Sequence, residues 1–149
     1  MKIIIDTNII FSALLNSNGS IGDLIFNSDS LFEFYSCNFM KLEIQKHWKK
    51  LLKISKLSER ELMNSYAIIH SKINFINEEL VPNVIWKQAF QLTEEIDPDD
   101  TPFVALSIFL NGKLWTGDKV LYNGLNSSKS NVVYNTNDLL EVREILRLK

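Results

Sequence analysis

Cysteine is almost missing from this chain: Cys37 is the only one among 149 residues. A lone thiol forms no internal disulfide and no cysteine-based zinc site, so neither staples the fold. In its apolar neighbourhood Cys37 reads as a small core residue. Proline (3) and glycine (5) are also scarce, which excludes collagen-like and low-complexity classes. No apolar run approaches the ~20 residues of a membrane-spanning helix. A secretory leader is not expected either, because the opening MKIIIDTNII carries one lysine and a short apolar stretch broken at once by Asp6 and Asn8. A cytoplasmic location without a membrane partner is the expectation. An excess of one charge is lacking too: 16 basic and 18 acidic side chains leave a net charge of −2, unlike a general nucleic-acid binder. The 2 histidines, His47 and His70, are scattered, and neither is assigned to catalysis.

What is present is ordinary globular material, 46% hydrophobic and 23% charged, long enough for one sizeable core. A single domain over residues 1–149 is expected. Charge is distributed unevenly. Lys41, Lys46, Lys49, Lys50, Lys53 and Lys56 crowd one segment, while EEIDPDD (Glu94–Asp100) gathers acids. Such a pattern suits an acidic metal site beside a basic phosphate-binding surface, and equally two solvated faces.

Lys2–Ile5 is a β-branched run without polar alternation, as in a strand covered on both faces. A helix over 8–15 follows, then a turn at Asn16–Gly19 and a short helix that Ser20 can cap. Leu31–Ser36 reads as a second strand. Met40, Ile44, Trp48 and Leu51/Leu52 are spaced for one helix from about Phe39 to Ile54, with lysines opposite. Ser58-Glu59-Arg60-Glu61 is a capping box opening a helix whose stripe runs Leu62, Tyr66, Ile69, Ile73, Ile76. These two helices are expected to form a hairpin. Pro82-Asn83 starts another helix. Asp97–Asp100 breaks it, and Asp100 or Thr101 caps the next, Pro102–Leu110. Lys113–Thr116 and Val132–Asn135 read as strands around a polar loop, Asn123–Asn131, and Asp138 caps a last helix. Alternating strands and helices predict an α/β fold: a three-layer α/β/α sandwich around a central, mainly parallel sheet.

In parallel sheets, ligands bind beyond the carboxyl ends of the strands. Asp6 directly follows the first strand, and Asp118 follows Lys113–Thr116 through Gly117. The Asp97–Asp100 group precedes a helix that descends into that same strand. Glu43 lies early in the helix after the second strand. All four places fall on one rim. Each acid alone has a plain explanation, as a turn residue, a helix cap or an i,i+3 partner of Lys46, but independent turn acids need not share a rim. Carboxylates converging without cationic partners resist ionising together unless a cation intervenes, and hard oxygen donors suit Mg²⁺ or Mn²⁺.

The residues Asp6-Thr7-Asn8, Glu43, Asp97-Pro98-Asp99-Asp100 before Phe103-Val104-Ala105-Leu106, Thr116-Gly117-Asp118-Lys119 and Asn137-Asp138-Leu139-Leu140 together resemble the PIN domain, over essentially the whole chain. The resemblance implies a sheet of five parallel strands and a Mg²⁺- or Mn²⁺-dependent endoribonuclease. Many small relatives are VapC-like toxins of toxin–antitoxin pairs, often homodimers silenced by an antitoxin peptide. Carried over by position, Asp6, Asp100 and Asp118 look like metal ligands and Glu43 like the helical acid of the catalytic set. Asp97 or Asp99 could stand in place of Asp100. Asn8 and Thr116 look like residues that orient the carboxylates, with a helix N-cap as the other reading of Asn8. Where many relatives carry a further acid, two residues after Asp118, this chain has Val120.

Lys46, Lys49, Lys50 and Lys53 have the reach to guide an RNA backbone, with a solvated helix face as the default. Trp48 reads as core rather than as a base-stacking platform. An antitoxin helix could use an apolar patch around Phe11, Leu14, Leu15 and Ile21–Phe26. Two other functions compete. A catalytically degenerate PIN scaffold would bind without cutting. A phosphatase of the haloacid dehalogenase kind needs a second aspartate at position 8, where this chain has Asn8. A receiver-type phosphoacceptor domain would need acids that are not evident.

Overall fold

The computed structural model describes Met1–Lys149. Strand β1 (Lys2–Ile5) is central: Ile3, Ile4 and Ile5 are completely buried, which explains why the run carries no polar alternation. It pairs in parallel with β2 (Glu33–Cys37) on one side and β4 (Lys113–Trp115) on the other. Strand β3 (Ile73–Ile76) extends the sheet beyond β2, and β5 (Val133–Tyr134) beyond β4, giving the order β3-β2-β1-β4-β5. All five strands are parallel, as expected.

The helices in between are α1 (Thr7–Leu15), α2 (Ser20–Phe26), α3 (Asn38–Lys46), α4 (Trp48–Ser55) and α5 (Glu59–Ser71), then α6 (Asn83–Thr93), α7 (Thr101–Leu110), α8 (Lys119–Ser127) and α9 (Thr136–Arg147). Thirty buried hydrophobic residues form one continuous core. Its largest members, Trp115, Phe34 and Phe103, lie on β4, β2 and α7. No single helix is long and apolar enough to cross a membrane.

Several elements differ from the sequence reading. The fifth strand is β3, whose Ile73 and Ile76 continue the stripe of α5 at helical spacing. The helix ends instead at Lys72, and these residues pair with Phe34–Cys37 of β2. The predicted helix over 39–54 is two helices broken at His47, where ψ is 12° and the ring packs edge-on against Phe11 of α1. The polar loop after β4 is mostly helix α8, with Leu121 and Leu125 buried on one face. Gly124 belongs to that helix because its bare backbone lies against Ile96, where a Cβ would come within 2.5 Å of Cδ1. Gly19 rather than Ser20 holds the cap position of α2, and Asn135 caps α9, with Asp138 closing the capping box from the third helical position.

Helix α3 has no cap from its own chain segment. Glu78, in the 3₁₀ turn after β3, accepts from the Phe39 amide at 2.8 Å and so holds the start of α3 in place. Burial, together with the Glu78 carboxylate, pushes the Cys37 thiol up to about 12, so Cys37 is the inert core residue expected.

Candidate active site

At the carboxyl ends of β1, β2 and β4 the chain passes directly into the N-termini of α1, α3 and α8. Helix α7 begins on the same rim, because it runs into β4 through the tight turn at Asn111-Gly112. Helix N-termini carry partial positive charge and unpaired amides, so acids are favoured there.

Asp6 caps α1 by accepting from the Ile9 amide at 3.0 Å through Oδ1. Asp118 caps α8 the same way, with Oδ1 taking the amides of Val120 at 2.9 Å and Leu121 at 3.2 Å. At Asp118 a single carboxylate oxygen serves the backbone, so capping and site chemistry are compatible there, while at Asp6 the Thr116 hydroxyl shares the carboxylate with the Ile9 amide. Thr116 ties them together: its hydroxyl accepts from the Asp118 amide at 3.1 Å and hydrogen-bonds the Asp6 carboxylate.

Glu43 stands in the second turn of α3, half-buried, and accepts a hydrogen bond from the hydroxyl of buried Thr7. Thr7 was not singled out in the sequence. Its partner is remote along the chain, and the only signal was its place between Asp6 and Asn8. Asn8 itself is exposed and lines a neighbouring cleft with Phe11, Leu15 and His47; Asp6, not Asn8, is the N-cap.

The Asp97–Asp100 segment forms a 3₁₀ turn that separates its acids. Asp97 caps the turn by accepting from the Asp99 amide at 3.0 Å, and Asp99 is exposed. Asp100 occupies the cap position of α7 without spending its side chain on a backbone amide. Burial and then the charges of Asp6, Asp97, Asp118 and Glu43 push its carboxyl up to about 7. Burial likewise pushes Asp6 up to about 6. The Thr116 and Ile9 hydrogen bonds pull it back, and the charges of Asp118 and Glu43 raise it further. Asp6, Glu43, Asp100 and Asp118 thus feel one another, and Asp97 adds its charge at Asp100. No lysine or arginine balances them: the three ion pairs of the molecule, Lys72–Asp29, Arg143–Asp23 and Arg147–Glu144, lie elsewhere.

The all-oxygen donor set, short of positive charge, is the chemistry that a hard divalent cation takes. It is not a finished cage: as placed, no three acidic or histidine groups converge on one ion. The residues fit such an ion by type, burial and charge deficit, and ligation requires the carboxylates to draw together.

Lys46, Lys49, Lys50 and Lys53 are exposed on α3 and α4, none in an ion pair. The apolar patch expected for an antitoxin is mostly core, because Leu14, Leu24 and Ile25 are buried. Only Phe11 and Leu15 open into a cleft of about 380 Å³, shared with Leu51 and Ile54. Trp48 is half-buried: it packs against the core, as expected, and also walls another cleft.

Comparison with known proteins agrees with this architecture. A family model described as PIN domain matches residues 4–141. Among curated proteins there is no match. Among solved structures, the VapBC2 complex from Rickettsia felis, crystallised with a DNA fragment from its promoter, contains a similar chain at TM-score 0.66 and 16% identity. The match covers 91% of this chain and 98% of that one, and at such identity it speaks for the fold. With a family model spanning nearly its whole length, and a five-stranded parallel sheet bearing acids on its carboxyl rim, this chain belongs to the PIN-domain family.

Proposed function

We propose that this protein is a metal-dependent endoribonuclease and the toxin half of a toxin–antitoxin pair, working in the cytoplasm, with RNA as substrate and Mg²⁺ or Mn²⁺ as cofactor. The observation that carries the reading is that Asp6, Glu43, Asp100 and Asp118, from four different elements, share one rim and perturb one another's charge without a compensating cation, short of closing on a single point. Asp6, Asp100 and Asp118 would hold the metal. A divalent ion held there would supply Lewis-acid polarisation of the phosphodiester and activation of water.

The chain's own groups have separable tasks. Thr116 and the Ile9 amide would hold the Asp6 carboxylate in place. Thr7 fixes Glu43 beside them. Asp100, its carboxyl raised to about 7 by burial and its neighbours, holds in the metal-free rim a proton that a bound cation would displace. Lys46, Lys49, Lys50 and Lys53 would meet the backbone phosphates, which fix register without reading sequence. The VapBC2 relative is a two-component complex. By analogy an antitoxin would cover this rim, and a homodimer is proposed for the toxin.

One observation favours a second reading. Val120 is 69% exposed where many relatives have an acid, and no three acids converge on one ion, as in a scaffold that binds without cutting. The family match removes the main support for a dehalogenase-type phosphatase.

The deciding experiment incubates the wild type and Asp6→Asn with structured and single-stranded RNA in Mn²⁺, in Mg²⁺ and in EDTA. Cleavage by the wild type alone, abolished by EDTA, is the expected result. A folded wild type that cuts nothing in either metal would leave the binding-scaffold reading.

A further inference from the structure

The aromatic side chains of α4, α5 and β3 form a half-buried surface that packs against the core on one side and lies outside the acidic rim. Trp48 meets Tyr66 edge-on at 6.1 Å between ring centroids, and Tyr66 meets His70 at 5.7 Å. His70 then lies over Phe75 at 4.5 Å, tilted by 32°. Lys41 places its ammonium 4.2 Å from the centre of the Phe75 ring. Between these residues lies an open cleft of about 440 Å³, lined by Lys41, Ile44, Gln45, Trp48, Tyr66 and His70. That volume is in the range of small-ligand sites, roughly 300–1,000 Å³.

A set of rings that merely completed the core would be buried and its polar atoms paired. Here Trp48, Tyr66, His70 and Phe75 are all only partly buried. The Trp48 indole is held by its Nε1–H donating to Glu59 at 3.0 Å, so one wall of the cleft is fixed. Burial raises the Tyr66 hydroxyl, and burial with the Lys41 charge lowers the His70 imidazole. Both rings stand in the wall of the cleft.

We propose that this cleft is a nucleobase subsite, in which an unpaired base of single-stranded RNA packs among Trp48, Tyr66 and His70 while Lys41 meets its phosphate. Aromatic faces beside an uncompensated lysine are the elements with which proteins hold single-stranded nucleic acid. The cleft and the rim share helix α3, with Lys41 and Gln45 on the face turned away from Glu43, so a strand reaching both would cross over that helix; Phe75 pairs in register with Ser36, next to the carboxyl end of β2. Lys46 and Lys49, exposed nearby and outside any ion pair, continue the positive path. The assignment rests on the ribonuclease reading for its purpose, while its test reads binding separately from cleavage.

The test measures fluorescence anisotropy of a labelled, unstructured RNA of about 10 nucleotides, within the ~4–16 that single-stranded sites span. It is done in EDTA, so that nothing is cut. Tyr66→Leu keeps the bulk and removes the aromatic face; Tyr66→Phe keeps the face; Lys41→Gln removes the charge at a half-exposed position. Affinity should fall about tenfold in Tyr66→Leu, recover in Tyr66→Phe, and fall severalfold in Lys41→Gln. With Mn²⁺ present, Tyr66→Leu should raise KM and leave kcat unchanged. Thermal melts of the variants confirm that each is folded. If wild type cleaves RNA and both Tyr66→Leu and Lys41→Gln bind it as tightly as wild type, the subsite is overturned and the nuclease reading stands. If nothing is cleaved but binding still follows the aromatic face, the subsite stands and the nuclease reading falls. If the substitutions disturb self-association and leave RNA affinity untouched, the cleft is a protein contact and the proposal is wrong.

Discussion

Asp6 is 3% exposed and carries a carboxyl pushed up to about 6 from an ordinary 3.8. Between those values the folded protein binds a proton that the unfolded chain does not, so this residue's contribution to stability falls as pH rises through that interval. At ~1.4 kcal/mol per pKa unit, the charged form costs the fold about 3 kcal/mol above it. Asp6→Asn keeps an Oδ1 to accept from Ile9, so the cap survives while the charge goes. Thermal melts in EDTA should show Asp6→Asn more stable than wild type at about pH 8, with the gap closing toward about pH 4, while cleavage falls at least ~100-fold. A variant less stable at the higher pH would mean that the carboxylate is not held against a charge penalty. Thr7 can be tested more narrowly. Thr7→Val keeps the shape and leaves Glu43 without its donor. About 1 kcal/mol of stability and roughly tenfold in kcat should be lost, with Thr7→Ser close to wild type.

Among the elements, α2 shows how a glycine can be fixed by an approach rather than by a turn. A Cβ on Gly22 would stand 2.1 Å from the Ser17 carbonyl oxygen, so the loop before the helix would have to move. Gly22→Ala should lower the urea midpoint by the equivalent of about 1–3 kcal/mol at unchanged m-value, overriding the ~1 kcal/mol that alanine gains in a helix interior. The same logic separates what the sequence could disclose from what it could not. Strand β1 was legible because three consecutive isoleucines tolerate burial on both faces, Asp6 because it directly follows that strand, and Asp118 because only Thr116 and Gly117 separate it from β4. Strand β3 was hidden because Ile73 and Ile76 are in phase with the helix before them, and only pairing with β2 draws them out of it. Helix α8 was hidden because Gly124 reads as a breaker until Ile96 is seen against it. Which acid of the Asp97–Asp100 segment faces the rim depends on a 3₁₀ turn of three residues, finer than any periodicity resolves. Thr7 could be read only after α1 and α3 were seen to meet.

For the whole molecule, a net charge of −2 conceals two opposed regions, an acidic rim and a lysine strip along α3 and α4. Burial of the rim acids, with repulsion among them added, makes the metal-free fold lose stability as pH rises toward about 7, the range in which Asp6 and Asp100 lose their protons. Cation binding should reverse that trend, because a ligand that takes carboxylates must displace those same protons. Near pH 5 most of the competition comes from protons, and Mn²⁺ should shift the melting temperature little. At about pH 8 both groups are ionised, and Mn²⁺ at ~100 times its Kd should stabilise by about 2.7 kcal/mol, or roughly 5–10 °C for a chain of this size. Asp6→Asn should lose most of that shift, because it lacks one proposed ligand. A Mn²⁺ shift of equal size at both pH values, or one that survives in Asp6→Asn, would place the cation elsewhere on the protein and remove the metal from the proposed site.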